Sequence, residues 1–241
     1  MEILKELPLI QGKRYLIFGD IHGRYDQMIR CLEQANYDAS NDIIMTVGDM
    51  IDRGTDNIKV LNAFIDNEDF HAIMGNHEDM VINNEYYNIW LYNGGDMTLW
   101  ELEYYNMDFP SLQDMIRTNF PYVIYVGDPK DISDTGSFRL VHGEFTLVPD
   151  DVLYSSLKAS QAGSKLVEHC IWSRSVIEQR FNTNERVHNT RILTTTQTMP
   201  TFSGHTPIGS VPYRIGCRYY IDTGMKRLTL IDAHTKEWWQ A

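Results

Sequence analysis

The first third of the chain alternates short apolar runs with amphipathic stretches. Tyr15–Phe18, Ile43–Val47 and His71–Met74 are apolar runs of strand length, the pattern of parallel strands buried on both faces. Between them, Asp26–Gln34 carries Met28, Ile29 and Leu32 at helical spacing, and Ile58–Ile65 repeats the pattern with Val60, Leu61, Phe64 and Ile65. The order β-α-β-α-β predicts right-handed crossovers. The chain from Glu78 onward reads as helical. Asn93-Gly94-Gly95-Asp96 breaks the pattern and is expected to cap a helix over Met97–Glu103, and Ser111–Asn119 is a further short helix ended by Pro121.

The second half changes character. Tyr122–Val126, Phe138–Val141, Arg218–Ile221 and Leu228–Ile231 read as short strands, separated by turn signals such as Gly127-Asp128-Pro129-Lys130. Glu178–Thr198 is polar, weakly periodic and rich in clustered Asn and Thr, so a long surface excursion is expected there. No internal repeat or low-complexity tract is present. The pattern alone predicts an α/β half followed by a β-rich half.

Each of the first three strands runs into a polar string: Gly19-Asp20-Ile21-His22-Gly23, Gly48-Asp49-Met50-Ile51-Asp52-Arg53-Gly54 and Gly75-Asn76-His77-Glu78. Carboxylate, imidazole and amide groups thus gather where strands of an open α/β sheet end, the edge at which such sheets bind ligands. Alone, an Asp after a strand is ordinarily a helix cap or turn former, and a lone His a hydrogen-bonded core residue. The ordered set suits a divalent-metal site better than any structural role.

Further strings lie downstream: Val141-His142-Gly143, Ile171-Trp172-Ser173-Arg174, Gly204-His205-Thr206 and Asp222-Thr223-Gly224. In this order, G-D-x-H-G, G-D-x-x-D-R-G and G-N-H-E with these partners resemble the signature of the PPP-type metallophosphoesterases, from about Tyr15 to Ile231. The short chain and the Trp-x-Arg string most resemble the branch of the bacteriophage lambda protein phosphatase and its bacterial relatives. The resemblance implies a calcineurin-like α/β sandwich, with two central β-sheets flanked by helices and the site where loops of both meet. One sheet, begun by the β-α-β-α-β unit, is expected to be mixed and the other mostly antiparallel.

The resemblance also implies a ligand set: Asp20, His22 and Asp49 on one ion, and Asp49, Asn76, His142 and His205 on the other. Asp49 has two oxygens and can bridge. Mixed carboxylate and imidazole ligands suit manganese, with iron, zinc or cobalt as other candidates, rather than calcium or a thiolate-bound metal. Two such ions lower the pKa of a shared water, which then attacks phosphorus directly as hydroxide. His77 follows a ligand without having to be one, and Asp52 lies three residues after the bridging carboxylate. A carboxylate on the far ring nitrogen would make His77 a general acid for the leaving group. Arg53 and Arg174 are the candidate phosphate clamps, because guanidinium forks match phosphate oxygens. His71, His169, His188 and His234 lie outside the motifs and are read as non-ligands; Trp90, Trp100, Trp172, Trp238 and Trp239 are read as packing residues.

Composition narrows the field. At 241 residues and 43% hydrophobic content the chain can bury a sizeable core, and motifs spread from Asp20 to His205 favour a single domain over residues 1–241. A formal net charge of −12 argues against a general nucleic-acid binder, and so against a nuclease with similar metals. Cys31, Cys170 and Cys217 show no C-x-x-C spacing and read as core thiols. No apolar run approaches the ~20 residues of a membrane span, and Met1–Lys13 lacks a signal-peptide core. A cytoplasmic location is expected, with no membrane partner and no oligomer indicated.

The resulting expectation is a metal-dependent serine/threonine protein phosphatase, also open to phosphotyrosine, acting on phosphorylated proteins or peptides. A dinucleoside polyphosphate hydrolase is the first alternative. His22 and Asp52 lean away from it, since that branch tends to replace one or both. A catalytically inactive phosphopeptide-binding module is the second.

Overall fold

The computed structural model describes residues 1–130, 136–182 and 197–241. Two sheets face each other. The first has the order β11-β10-β2-β3-β4, from Trp238–Gln240 (β11), Thr229–Asp232 (β10), Arg14–Phe18 (β2), Asp42–Thr46 (β3) and Phe70–Ala72 (β4). The second has the order β1-β5-β6-β7-β9-β8, from Leu4–Leu7 (β1), Val123–Val126 (β5), Phe138–Val141 (β6), Thr201–Ser203 (β7), Arg218–Tyr220 (β9) and Tyr213–Ile215 (β8).

Strand alternation builds the core. Tyr15, Ile17, Ile43, Met45 and Val47 from the first sheet share one buried cluster with Ile124, Val126, Phe138, Leu140 and Phe202 from the second. The intervening Leu16, Phe18 and Ile44 cluster instead with Met28, Cys31, Ile58 and Leu61 of helices α1 (Tyr25–Gln34) and α2 (Asn57–Ile65). Runs apolar on both faces therefore become central strands between a sheet and a helical layer.

The first sheet is mixed, as expected: β2, β3 and β4 are parallel, and β10 and β11 add antiparallel strands. The second sheet corrects an expectation. It is not mostly antiparallel, because β1–β5, β6–β7 and β7–β9 pair in parallel while only β5–β6 and β8–β9 are antiparallel. The β6–β7 crossover runs through a stretch most of which the sequence pattern assigns to no element. Helices α7 (Asp150–Ala159), α8 (Lys165–Trp172) and α9 (Ser175–Asn182) lie between β6 and β7.

A helix does begin at the Asn93–Asp96 break, as expected, but without a side-chain cap. Between α4 (Tyr87–Trp90) and α5 (Asp96–Tyr105) the backbone kinks at Gly94, φ 104°. Helix α6 (Phe109–Asn119) begins earlier than expected, capped by Asp108, which accepts the Ser111 N–H at 2.7 Å. Trp90 is fully buried, but Trp100 and Trp238 are exposed, so the packing role assigned to those two does not hold.

Most of Glu178–Thr198 lies outside the described residues, as does His188. Its far end is no excursion: buried Gln197 donates to the carbonyls of Thr146 and Val148 at 2.8 and 3.0 Å. Among the described residues, no helix is long and apolar enough to cross a membrane.

Candidate active site

Parallel register brings the first three strings level. Phe18 of β2 pairs with Thr46 of β3, and Thr46 with Ala72 of β4, so Asp20, Asp49 and Asn76 leave the sheet at one edge. Asn76 opens helix α3 (Asn76–Ile82). In the second sheet Leu140 pairs with Phe202, which sets His142 and His205 beyond neighbouring strand ends. The backbone turns sharply at these points. His22, Asp49, Asp52, Arg53 and His205 all have positive φ, between 48° and 74°, a conformation that non-glycine residues adopt rarely. Glycine is required beside them: a Cβ at Gly75 or Gly204 would overlap the carboxylate of Asp49 or Asp20.

The six candidate ligands are all buried. Asp49 Oδ1 lies 3.3 Å from His142 Nε2, and Asp49 Oδ2 lies 3.6 Å from His22 Nε2. Asn76 Oδ1 is 2.9 Å from His142 Nε2 and 2.7 Å from His205 Nδ1. The far nitrogens point away: His22 Nδ1 meets the Ile51 carbonyl at 2.8 Å, His142 Nδ1 the Val47 carbonyl at 2.8 Å, and His205 Nε2 the Trp172 carbonyl at 3.2 Å. Each of those contacts requires an N–H, so a neutral ring presents a lone pair to the site. Burial lowers the pKa of His22 and His142, and that of His205 to about 3, which keeps these rings neutral.

The donor set therefore turns lone pairs toward other lone pairs and toward carboxylates. Burial, then the charges of Asp222 and Asp49, raise Asp20 well above the usual carboxylate range. Ligands at ~2.1 Å from a shared ion sit about 3 Å from one another. The residues fit divalent cations on both counts, chemistry and spacing. Among the described residues, Asp49 belongs to two three-residue groups of close donors, one with His22 and His77 and one with Asp20 and His142. His22 Nε2 also faces the Arg53 guanidinium at 2.7 Å.

The expected acid pair is adjacent. His77 Nδ1 lies 2.6 Å from Asp52 Oδ2, with both groups buried. Trp90 Nε1 donates to the same oxygen at 2.8 Å, and the Thr98 hydroxyl to Asp52 Oδ1 at 2.6 Å. Burial works against a charged His77, but Asp49 and Asp52 outweigh it and raise its pKa. Both arginines sit at the solvent side. Arg53 spans the two imidazoles, with Nη2 2.9 Å from His77 Nε2. Its backbone N–H and Nε bond the Gly94 and Asn93 carbonyls at 3.1 and 3.3 Å, so the kink before α5 serves as its seat. Arg174 Nη2 lies 3.5 Å from the His205 carbonyl.

Several supporting residues carried no assigned role in the sequence. Glu78 accepts backbone N–H groups of Asp49, Met50, Ile51 and Gly75 at 2.8–3.2 Å, fixing the turn that carries the central carboxylate. Burial, followed by the charge of Asp49, raises its pKa to about 7. Arg24 bonds the carbonyls of Asp20, Ile21 and Gly224, which joins the first string to Asp222-Thr223-Gly224. The motifs flagged Glu78 by position; nothing local in the sequence flags Trp90 or Thr98. The cysteines are free and buried, and burial pushes Cys31 and Cys170 up to about 11 and 12, as core thiols should behave.

Comparison with known proteins identifies the family. The family model described as calcineurin-like phosphoesterase matches residues 13–220. Serine/threonine-protein phosphatase 1 of Salmonella typhimurium is 33% identical over 98 residues, covering 39% of this chain and 45% of that protein. A symmetrical bis(5'-nucleosyl)-tetraphosphatase of Wigglesworthia glossinidia brevipalpis is 43% identical over 65 residues, 27% of this chain and 24% of that protein. The chain thus spans less than half the length of either relative in these matches. A solved protein serine/threonine phosphatase from Saccharomyces cerevisiae superposes with a TM-score of 0.63 at 15% identity, over 95% of this chain and 76% of that one, a likeness of fold.

Proposed function

Because the chain belongs to the calcineurin-like phosphoesterase family, whose members imply a dimetal centre, we propose that it is a metal-dependent protein phosphatase acting on phosphoseryl and phosphothreonyl groups. The carrying observation is the Asp52–His77 contact at 2.6 Å, set beside the buried donor cluster and below the Arg53 fork. Asp20, His22, Asp49, Asn76, His142 and His205 would hold the cations, with manganese the first choice for this mixed oxygen and nitrogen set. When bound, such ions supply Lewis-acid charge at the phosphoryl group and an activated water.

The chain's own groups do the rest. Arg53 and Arg174 grip phosphoryl oxygens, hold phosphorus in register and stabilise charge that builds in the transition state. His77 donates a proton from Nε2 to the leaving-group oxygen as its bond to phosphorus breaks. Asp52, held by Trp90 and Thr98, keeps the ring's Nδ1 protonated and favours the imidazolium. Arg53 Nη2 meets Nε2 at 2.9 Å and must shift to phosphate oxygens when the ring carries that proton.

The same donor cluster would serve a dinucleoside polyphosphate hydrolase. His22 and Asp52 favour the protein-phosphatase branch on the motif resemblance. The test is a panel of phosphopeptides, diadenosine tetraphosphate and an aryl phosphate with Mn²⁺ supplied. Preference for phosphopeptides supports the reading, and preference for the dinucleotide overturns it.

A further inference from the structure

Glu144 lies two residues after His142, on the loop leaving β6, and is 1% exposed. Its carboxylate collects five donors. Oε2 accepts the Val176 N–H at 2.8 Å, the Ser175 hydroxyl at 3.1 Å and the Ser173 hydroxyl at 3.4 Å. Oε1 accepts the Ile177 N–H at 2.9 Å and the Tyr220 hydroxyl at 2.8 Å. Val176 and Ile177 stand in the first turn of α9, where backbone amides have no partner within the helix. A carboxylate there also meets the positive end of the helix dipole. Glu144 therefore caps α9 from a different segment of the chain.

Two parts of the site hang on this cap. Arg174 is the residue immediately before α9, and its carbonyl accepts the first helical bond, from the Glu178 N–H at 2.9 Å. Trp172, two residues earlier, offers the carbonyl that fixes the His205 ring. The loop from β6 holds the other side of this turn as well: the Gly143 N–H donates to the Cys170 carbonyl at 2.6 Å. The short string from His142 to Glu144 thus supplies one candidate ligand, a contact to the end of α8 and the cap of α9. Arg174 is exposed, and among the described residues its side chain makes one long contact, to the His205 carbonyl at 3.5 Å. Its guanidinium is placed by where its backbone is fixed.

We propose that Glu144 is a positioning residue for phosphate binding: by capping α9 it fixes the Trp172–Arg174 turn and so aims the Arg174 guanidinium at the phosphoryl group. This rests on the phosphate-clamp role proposed for Arg174. A merely structural cap would lower stability without its effect on binding depending on Arg174.

The test is a double-mutant cycle read by binding. Affinity for inorganic phosphate is measured by calorimetry on the Mn²⁺-loaded protein, with Tm alongside, for wild type, Glu144→Gln, Arg174→Ala and the double variant. Glutamine keeps the volume but turns an NH₂ toward groups that are themselves donors. Glu144→Gln is expected to weaken phosphate about tenfold, the scale of hydrogen bonds to a charged group. In the Arg174→Ala background it should weaken phosphate no further, while still lowering Tm. Unchanged affinity in Glu144→Gln, or a loss that adds in full to that of Arg174→Ala, overturns the proposal. If Glu144→Gln does not fold, Tyr220→Phe removes one donor from Oε1 and should show a smaller loss with the same dependence on Arg174; an additive loss there overturns it equally. Phosphate binding with a coupled cycle but no phosphomonoester hydrolysis would leave Glu144 standing and refute the phosphatase reading. Phosphopeptide turnover with an additive cycle would do the reverse. No phosphate binding by the wild type would refute both.

Discussion

Asp52 meets His77 through a 2.6 Å contact between Oδ2 and Nδ1, and both of its oxygens are taken by buried donors, Trp90 and Thr98 as well as the ring. The carboxylate cannot turn away, and the imidazole is held with Nε2 facing the site. His77→Asn should therefore leave metal content intact and lower kcat by roughly 10²–10⁴, the usual contribution of a positioned acid. The loss should shrink for an aryl phosphate, whose leaving group needs little protonation. Equal losses for good and poor leaving groups would argue against proton donation. Asp52→Asn should show the same pattern more weakly.

Asp49 is the donor common to both close groups. Asp49→Asn removes the charge that two cations would share. Metal analysis should show both sites weakened, and turnover should nearly vanish. Thorough chelation of the wild type should abolish activity, with recovery on adding Mn²⁺. Undiminished turnover after chelation would remove the metal assignment.

Glu78 accepts four backbone N–H groups from the Asp49 turn and Gly75. Glu78→Gln presents a donor to some of these amides and leaves them unsatisfied in a buried place. A stability loss of about 1–3 kcal/mol is expected from denaturant unfolding, the usual cost of such unmade bonds. Metal affinity should fall with it, because the same turn carries Asp49. Wild-type stability in Glu78→Gln would show that the turn holds itself.

As the proposed phosphate clamp, Arg174 would offer a charge-assisted contact that Arg174→Ala deletes. KM should rise, and kcat/KM should drop by about 1.5–3 kcal/mol. A fall in kcat alone would place Arg174 outside ground-state phosphate binding.

The half of the site that lies on β2, β3 and β4 was legible because each ligand string follows an apolar run directly. Strand ends in a parallel sheet share one edge, so sequence position translates into spatial position. His142, Arg174 and His205 were readable only through motif resemblance, since their alignment depends on pairings of β6 and β7 across a long crossover. That crossover is helical, yet the cap of α9 comes from afar, from Glu144. Local pattern does not reveal a cap donated by another strand. The parallel pairings of the second sheet were not legible because β1 and β7, strands of four and three residues that the apolar pattern does not single out, between them take part in all three. The break at Asn93–Asp96 does precede helix α5, as the sequence predicts, but local pattern does not reveal that the Gly94 carbonyl also serves Arg53, 41 positions away in the chain.

The central claim is that this dimetal-type site acts on phosphorylated protein. The most direct measurement is kcat/KM for phosphoseryl and phosphothreonyl peptides against diadenosine tetraphosphate, with the same Mn²⁺-loaded preparation. With Arg53 and Arg174 as the proposed phosphate clamps and the substrate class taken from the motif resemblance, the phosphopeptides are expected to win across varied sequences. A dinucleotide advantage of about tenfold or more would contradict the protein-phosphatase assignment.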